Sequence, residues 1–158
     1  ILVKRNAADA LRLQLRNLHR LPARWKSLRE NGIGIGTATD PYQPAERRFE
    51  RTRRILEVFA GQRGRRVSIT TKSDLIARDL DLLREVRRGN VLDVNITVTT
   101  INIELARLLE PRAPRPDLRL EAVKQLADAG ICVGVFPNPV MPAISVCEVS
   151  LEAVAYAA

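Results

Sequence analysis

The sequence predicts an α/β chain in which short parallel strands alternate with helices and form part of a barrel. Three observations predict it. Four β-rich runs are each followed by turn residues and then by a stretch of helical spacing. Every run divides into one aliphatic face and one polar or small face. Apolar residues make up 46% of the chain and aromatics only 4%, so the core is built from Leu, Ile, Val and Ala, as suits helices packed on a sheet. With 158 residues the chain reads as one domain, 1–158, long enough for a core and too short to divide.

The elements follow in order. Residues 7–18 carry Leu11, Leu15 and Leu18 on one stripe, which predicts an amphipathic helix, whereas residues 21–31 show no period. Residues 33–37 form the first run. A loop leads from it to a helix opening at Pro44, with Glu46 near the N-terminal dipole, a buried stripe of Phe49, Thr52, Leu56 and Phe59, and a stop at Gly61. The second run is 67–71, and its helix carries Ile76, Leu80 and Leu83 and ends at Gly89. The third run, 94–100, leads to a helix near 102–109, a proline-rich turn, and a helix over 116–129 closed by Gly130. The fourth run is 131–136, and residues 148–158 read as a last helix. Such alternation implies parallel strands joined by right-handed crossovers. Four units are too few to close an eight-stranded barrel.

Alternate residues of a strand face opposite ways. One face collects Ile33, Ile35, Val67, Ile69, Val94, Ile96, Val98, Ile131, Val133 and Val135, which would lie under the helices. The other carries Gly34, Gly36, Ser68, Thr70, Lys72, Asn95, Thr97, Thr99, Cys132, Gly134 and Phe136. A doubly wound sheet is apolar on both sides. A polar face instead suits a barrel-like sheet whose inner surface receives a polar ligand. In α/β folds the C-terminal strand ends carry the site, which selects residues 37–42, 72–73, 99–100 and 136–142. Lys72, one of four lysines, lies on the inner face at a strand end, where an ammonium needs an anion. A ligand carboxylate or phosphate would serve, and Asp40 and Glu110 are the internal alternatives.

The net charge of +8 favours a polyanion such as DNA or RNA. Of 26 basic residues only Lys4, Lys26, Lys72 and Lys124 are lysines, and this excess of arginine is also what a coding bias toward G and C produces. No run reaches the ~20 apolar residues of a membrane span, and no secretion signal opens the chain, so a cytoplasmic protein with no membrane association is expected. Cys132 and Cys147 spell neither a disulfide framework nor a zinc site and read as buried thiols. His19 and Trp25 read as packing or surface residues. The chain begins at Ile1 and enters directly into an apolar segment, from which a missing beginning is expected.

Four segments carry a resemblance: GTATDPYQPAE (36–46), ITTKSDLIARDLDLL (69–83), LARLLEPRAPRPDLRLEAVKQLADAGI (105–131) and NPVMPAI (138–144). Together, in this order and spacing, they resemble the radical S-adenosylmethionine proteins related to spore photoproduct lyase, often labelled DNA-repair-photolyase-like. The resemblance implies a partial (β/α) barrel that binds S-adenosylmethionine at its strand ends beside a 4Fe-4S cluster. It also implies a reductant such as flavodoxin or ferredoxin, and a 5′-deoxyadenosyl radical that abstracts hydrogen from a substrate, in spore photoproduct lyase a thymine dimer in DNA. By this resemblance Thr37, Thr39 and Asp40 meet the methionyl amino group and Lys72 its carboxylate. Asn95, Thr97 and Thr99 line the ribose, Phe136 and Asn138 lie toward the adenine, and Arg112 reaches the carboxylate or the substrate. Such proteins hold their cluster through Cys-x3-Cys-x2-Cys, which this sequence lacks, so the metal ligands are not in this chain and the chain alone is not expected to be competent.

Two other readings compete. One is a non-catalytic nucleic-acid-binding module on the same scaffold, using Arg47, Arg48, Arg51, Arg54, Arg65 and Arg66. The other is an ordinary barrel enzyme using Lys72 on a sugar phosphate, against which stands the absence of a Gly-rich phosphate loop, paired carboxylates or a catalytic His.

Overall fold

The computed structural model describes residues 6–18, 32–141 and 148–158. His19, Trp25, Cys147 and the end of the 138–144 segment lie outside them. Four strands, β1 (Ile33–Ile35), β2 (Arg66–Thr71), β3 (Val91–Thr97) and β4 (Cys132–Phe136), form one parallel sheet in the order β1-β2-β3-β4. The helices are α1 (Ala7–Arg16), α2 (Glu46–Phe49), α3 (Arg51–Ala60), α4 (Leu80–Gly89), α5 (Ile103–Leu109), α6 (Pro116–Asp128) and α7 (Glu148–Ala157), with a 3-10 segment at Asp74–Asp79.

Because neighbours in the sheet are neighbours in sequence, right-handed crossovers lay the connecting helices on one side. The core is accordingly single. Val67, Ile69, Val94 and Ile96 from the sheet pack with Leu56 and Phe59 of α3, Leu83 and Val86 of α4, and Val123 and Leu126 of α6. The register aligns the opposite face across strands: Gly34 with Ser68, then Thr70 with Asn95 and Asn95 with Gly134. There Ser68, Thr70 and Asn95 are half-buried and Phe136 is exposed, as the predicted division requires, whereas Thr97 and Thr99, expected on the same open face, are buried. Cys132 lies on this open face and is exposed, contrary to the buried thiol expected of it. The expectation failed because a parallel strand of this sheet is covered on one side only.

The helix predicted to open at Pro44 is instead two helices. Glu50 adopts a left-handed conformation (φ 49°) between α2 and α3. Glu46 explains the break. Its carboxylate, 4% exposed, accepts from the N–H groups of Arg51 (2.8 Å), Thr52 (3.0 Å) and Arg53 (3.2 Å) and so caps α3 rather than its own helix. The predicted helix after β2 likewise begins as a 3-10 turn, with Ser73 accepting from the Leu75 N–H at 3.3 Å.

Beneath this break Asp79, fully buried, is held by Arg53 at 2.8 Å and Arg78 at 2.9 Å, which satisfies a charge that burial would otherwise penalise. Burial and the neighbouring Asp79 carboxylate raise the Tyr42 hydroxyl far above its ordinary range. One glycine is dictated by close approach: at Gly36 (φ 103°) a Cβ would stand 2.1 Å from the Thr70 carbonyl oxygen. It turns the chain off β1 across the end of β2.

Candidate functional site at the C-terminal strand ends

The loop leaving β1 brings Asp40 over the end of β2. Asp40 Oδ1 accepts from the Tyr42 N–H at 2.9 Å and from the Thr71 hydroxyl at 2.7 Å, while Oδ2 accepts from the Lys72 N–H at 2.7 Å. Thr71 Oγ1 in turn accepts from the Ser73 N–H at 3.0 Å. Asp40 is thus the pin that fixes the backbone of Lys72.

The Lys72 ammonium forms an ion pair with Glu110, just beyond the C-terminus of α5. Of the two internal carboxylates, then, Glu110 takes the charge and Asp40 takes the backbone. The other oxygen of Glu110 accepts from Arg119 Nη1 at 2.8 Å. Arg119, 1% exposed, also donates to the carbonyl oxygens of Thr97 (3.0 Å) and Pro114 (2.8 Å). Thr99 Oγ1 lies 3.2 Å from Glu110 Oε1 and 2.8 Å from the Asn138 carbonyl oxygen. Burial works to raise the Glu110 carboxyl, but the hydrogen bonds and charges of Lys72 and Arg119 outweigh it and hold the carboxyl below its usual range. Glu110 thus lies between two cations, and with Asp40 on the Lys72 backbone the charges of the cluster balance.

A cleft of about 720 Å³ opens beside this cluster, within the range of small-molecule sites. Lys72, Arg47 and Arg112 bring cations to it, and neither Arg47 nor Arg112 pairs with a carboxylate among the described residues. Asp74 also lines it, and its Oδ1 is buried with no hydrogen-bond partner among the described residues. Pro44, Pro111, Pro114 and Leu118 give it apolar walls.

Of the residues predicted from sequence, Asp40, Lys72 and Arg112 line this cleft. Thr97, Thr99 and Asn138 join the network behind it, Thr97 and Asn138 through their carbonyls. Both threonines are buried, at 5% and 4% exposure, so neither hydroxyl stands open on the polar face. Thr39 lines an adjacent hollow with Asp40, and Thr37 is exposed beside Gly34. Asn95 lies at mid-sheet, donating to Ser68 Oγ at 3.4 Å, and Phe136 pairs with Thr97 in the β3–β4 register. Asp74 and Arg119 were missed. Arg119 had a signal: on α6 it shares a stripe with Ala122, Val123 and Leu126, where a charge is out of place unless paired.

Among the described residues no three His, Cys, Asp or Glu side chains could hold a metal ion, and no helix is long and apolar enough to cross a membrane. The donor set therefore does not fit an iron–sulfur cluster. Cations and carboxylates line the one cleft together, Arg47, Lys72 and Arg112 with Asp40, Asp74 and Glu110.

Comparison with known proteins bears on this geometry. A family model described as the radical SAM superfamily matches residues 12–150. An uncharacterized protein of Mycobacterium tuberculosis is 33% identical over 145 residues, which are 92% of this chain and 40% of that protein. One from Acidianus two-tailed virus is 36% identical over 118 residues, 75% of this chain and 38% of its own length. One from Methanocaldococcus jannaschii is 33% identical over 110 residues, covering 70% and 40%. The chain thus spans about 40% of the length of these relatives. Among solved structures, spore photoproduct lyase complexed with dinucleoside spore photoproduct superposes with a TM-score of 0.60 at 16% identity, covering 86% of this chain and 37% of that one. A point mutant of the same lyase gives 0.59 at 17% identity, covering 85% and 36%. At such identities the likeness is one of fold, and it identifies the sheet as a partial barrel of this type.

Proposed function

This chain belongs to the radical SAM superfamily, and on that premise we propose that residues 1–158 form a barrel domain binding S-adenosylmethionine at the C-terminal strand ends. The observation that carries the reading is the cleft beside Lys72. Lysine has three N–H donors, and the Lys72 ammonium, paired with a Glu110 that Arg119 holds from the other side, remains 38% exposed at the cleft. An incoming methionyl carboxylate would be met by Lys72, with Arg112 lining the same cleft. The Asp74 carboxylate at the cleft would suit the amino group, a role the family resemblance implies for Thr37, Thr39 and Asp40. Asp40 is instead occupied in holding Lys72. Asn95, Thr97, Thr99, Phe136 and Asn138 would shape the surface behind the nucleoside end.

S-adenosylmethionine, when bound, supplies the carbon radical that abstracts hydrogen from a substrate. The described residues offer no thiolate set for a 4Fe-4S cluster, so electron delivery is no task of theirs. In the complete protein we place a reductant such as flavodoxin or ferredoxin upstream, a cytoplasmic setting, and a lyase-like reaction on a DNA photoproduct. Support for the substrate is the fold shared with a lyase seen with a dinucleoside spore photoproduct, together with the net charge of +8.

Calorimetric titration of the full-length protein with S-adenosylmethionine tests the reading. Lys72→Ala is expected to weaken binding at least tenfold, the loss of a charge-assisted hydrogen bond being about 1.5–3 kcal/mol. Unchanged affinity in that variant, with the fold intact by circular dichroism, would remove Lys72 from the site.

A further inference from the structure

The opposite end of the sheet carries a second feature that the cofactor reading does not use. The turns entering β2 and β3 are knitted together there. The Gly64 N–H donates to the Gly89 carbonyl at 2.7 Å and the Val91 N–H to the Arg65 carbonyl at 2.8 Å. Asn90, 9% exposed, is the knot: its Oδ1 accepts from the Arg65 N–H at 3.0 Å, and its Nδ2 donates among the carbonyls of Phe59, Gln62 and Val86 at 2.9–3.1 Å. Side-chain amides with every group engaged hold a turn in one geometry.

This braced platform displays arginines from two directions. Arg63 and Arg65 come from the turn before β2, Arg66 from the first position of β2, and Arg84, Arg87 and Arg88 from α4. The packing sets these groups along one rim, from Arg66 against Gly32 to Arg87 over Gly130. A Cβ at Gly89 would lie 3.3 Å from the Arg63 side chain, and Arg66 pairs in register with Val91, directly after α4. Arg87 reaches over the turn before β4, its guanidinium 3.3 Å from where a Cβ on Gly130 would be. Arg84, Arg87 and Arg88 line a hollow of about 480 Å³ with Asn90, Asp93 and Cys132.

Helix chemistry accounts for part of this. Cations in the last turn of α4 answer the dipole, which covers Arg87 and Arg88, and Arg88 pairs with Glu85. It does not account for Arg63, Arg66 and Arg84, which are exposed and pair with no carboxylate among the described residues, nor for Arg65, whose Nε is buried without a partner. Uncompensated arginines on a rigid surface repel one another unless an anion lies between them. Guanidinium forks match phosphate oxygens in pairs.

We propose that this N-terminal rim of the sheet binds the phosphate backbone of a nucleic acid, independently of any ligand at the Lys72 rim. The surface reads no sequence, since the feature is a cluster of charges with no aromatic side chain in it on which to stack bases. Its role is to hold a nucleic acid against the protein at the end remote from the cleft.

The test is fluorescence anisotropy of the full-length protein with a labelled DNA duplex of about 20 base pairs across a salt series. Replacing Arg63, Arg66, Arg84 and Arg87 together by Gln is expected to weaken binding at least tenfold and to flatten the salt slope by about 2 or more. The same four positions as Lys should retain the slope, which separates lost charge from lost structure. The proposal is overturned if the Gln variant binds like the parent, if the duplex shows no salt-dependent binding, or if only vesicles of phosphatidylserine are bound. S-adenosylmethionine affinity is measured separately, so failure here and failure of the cofactor reading are distinct results.

Discussion

Asp40 and Glu110 divide the handling of Lys72 between them, one fixing its backbone and the other its charge. Asp40→Ala removes the acceptor from three donors at once, at Tyr42, Thr71 and Lys72. Urea unfolding should show a loss of about 2–3 kcal/mol, and a loss under about 0.5 kcal/mol would mean the pin is dispensable. Glu110 adds a pH dependence whose sign follows from its lowered folded pKa. A carboxyl held below its unfolded value of 4.5 contributes stability that is fully present above that pH and is lost as pH falls through the folded pKa. Stability of the parent should therefore decline more steeply below about pH 4.5 than that of Glu110→Gln, and parallel curves would contradict the coupling. At this scale the sequence was legible in part. Lys72 was marked by its rarity and its strand position. Which carboxylate it meets was not, because Glu110 arrives from 38 positions away and is steered by Arg119, a contact no spacing rule reports.

At the scale of elements, the third strand lies three residues earlier than its reading, at Val91–Thr97. The helices after β1 and β2 begin differently from theirs, while the other helix starts agree to within a residue. Each strand betrayed its faces by alternation, and burial of Val67, Ile69, Val94 and Ile96 follows from that pattern. The segment 44–61 was read as one helix because its apolar stripe is nearly continuous. The carboxylate of Glu46 instead starts a second helix, an energetic choice made by a side chain five to seven residues away. Glu46→Ala should destabilise the fold by about 1–2 kcal/mol in urea unfolding, through three uncapped N–H groups and an Arg78 left with one partner fewer. Glu50→Gly, at a left-handed position that glycine adopts freely, should stabilise it by about 0.5–1 kcal/mol. Destabilisation by Glu50→Gly would show that the break is not strained.

For the molecule as a whole, the arrangement that matters is a sheet covered on one side. The sequence showed this by withholding apolar residues from one face of every strand, and the strand order confirms why: sequential parallel neighbours send their helices to a common side. Two charged ends result, a C-terminal rim with the Lys72–Glu110–Arg119 cluster and an N-terminal rim of arginines braced by Asn90. The first was legible because α/β folds put their chemistry at that end. The second was not, because Arg65 belongs to a turn, Arg66 to a strand end and Arg84 and Arg87 to a helix, and only packing shows that they share a rim. The account depends most on the first. A crystal structure of the full-length protein grown with S-adenosylmethionine tests it directly: the account predicts the methionyl carboxylate within hydrogen-bond reach of the Lys72 ammonium, in the cleft bounded by Arg112 and Asp74. A cofactor bound elsewhere, with Lys72 turned only to Glu110, would contradict it.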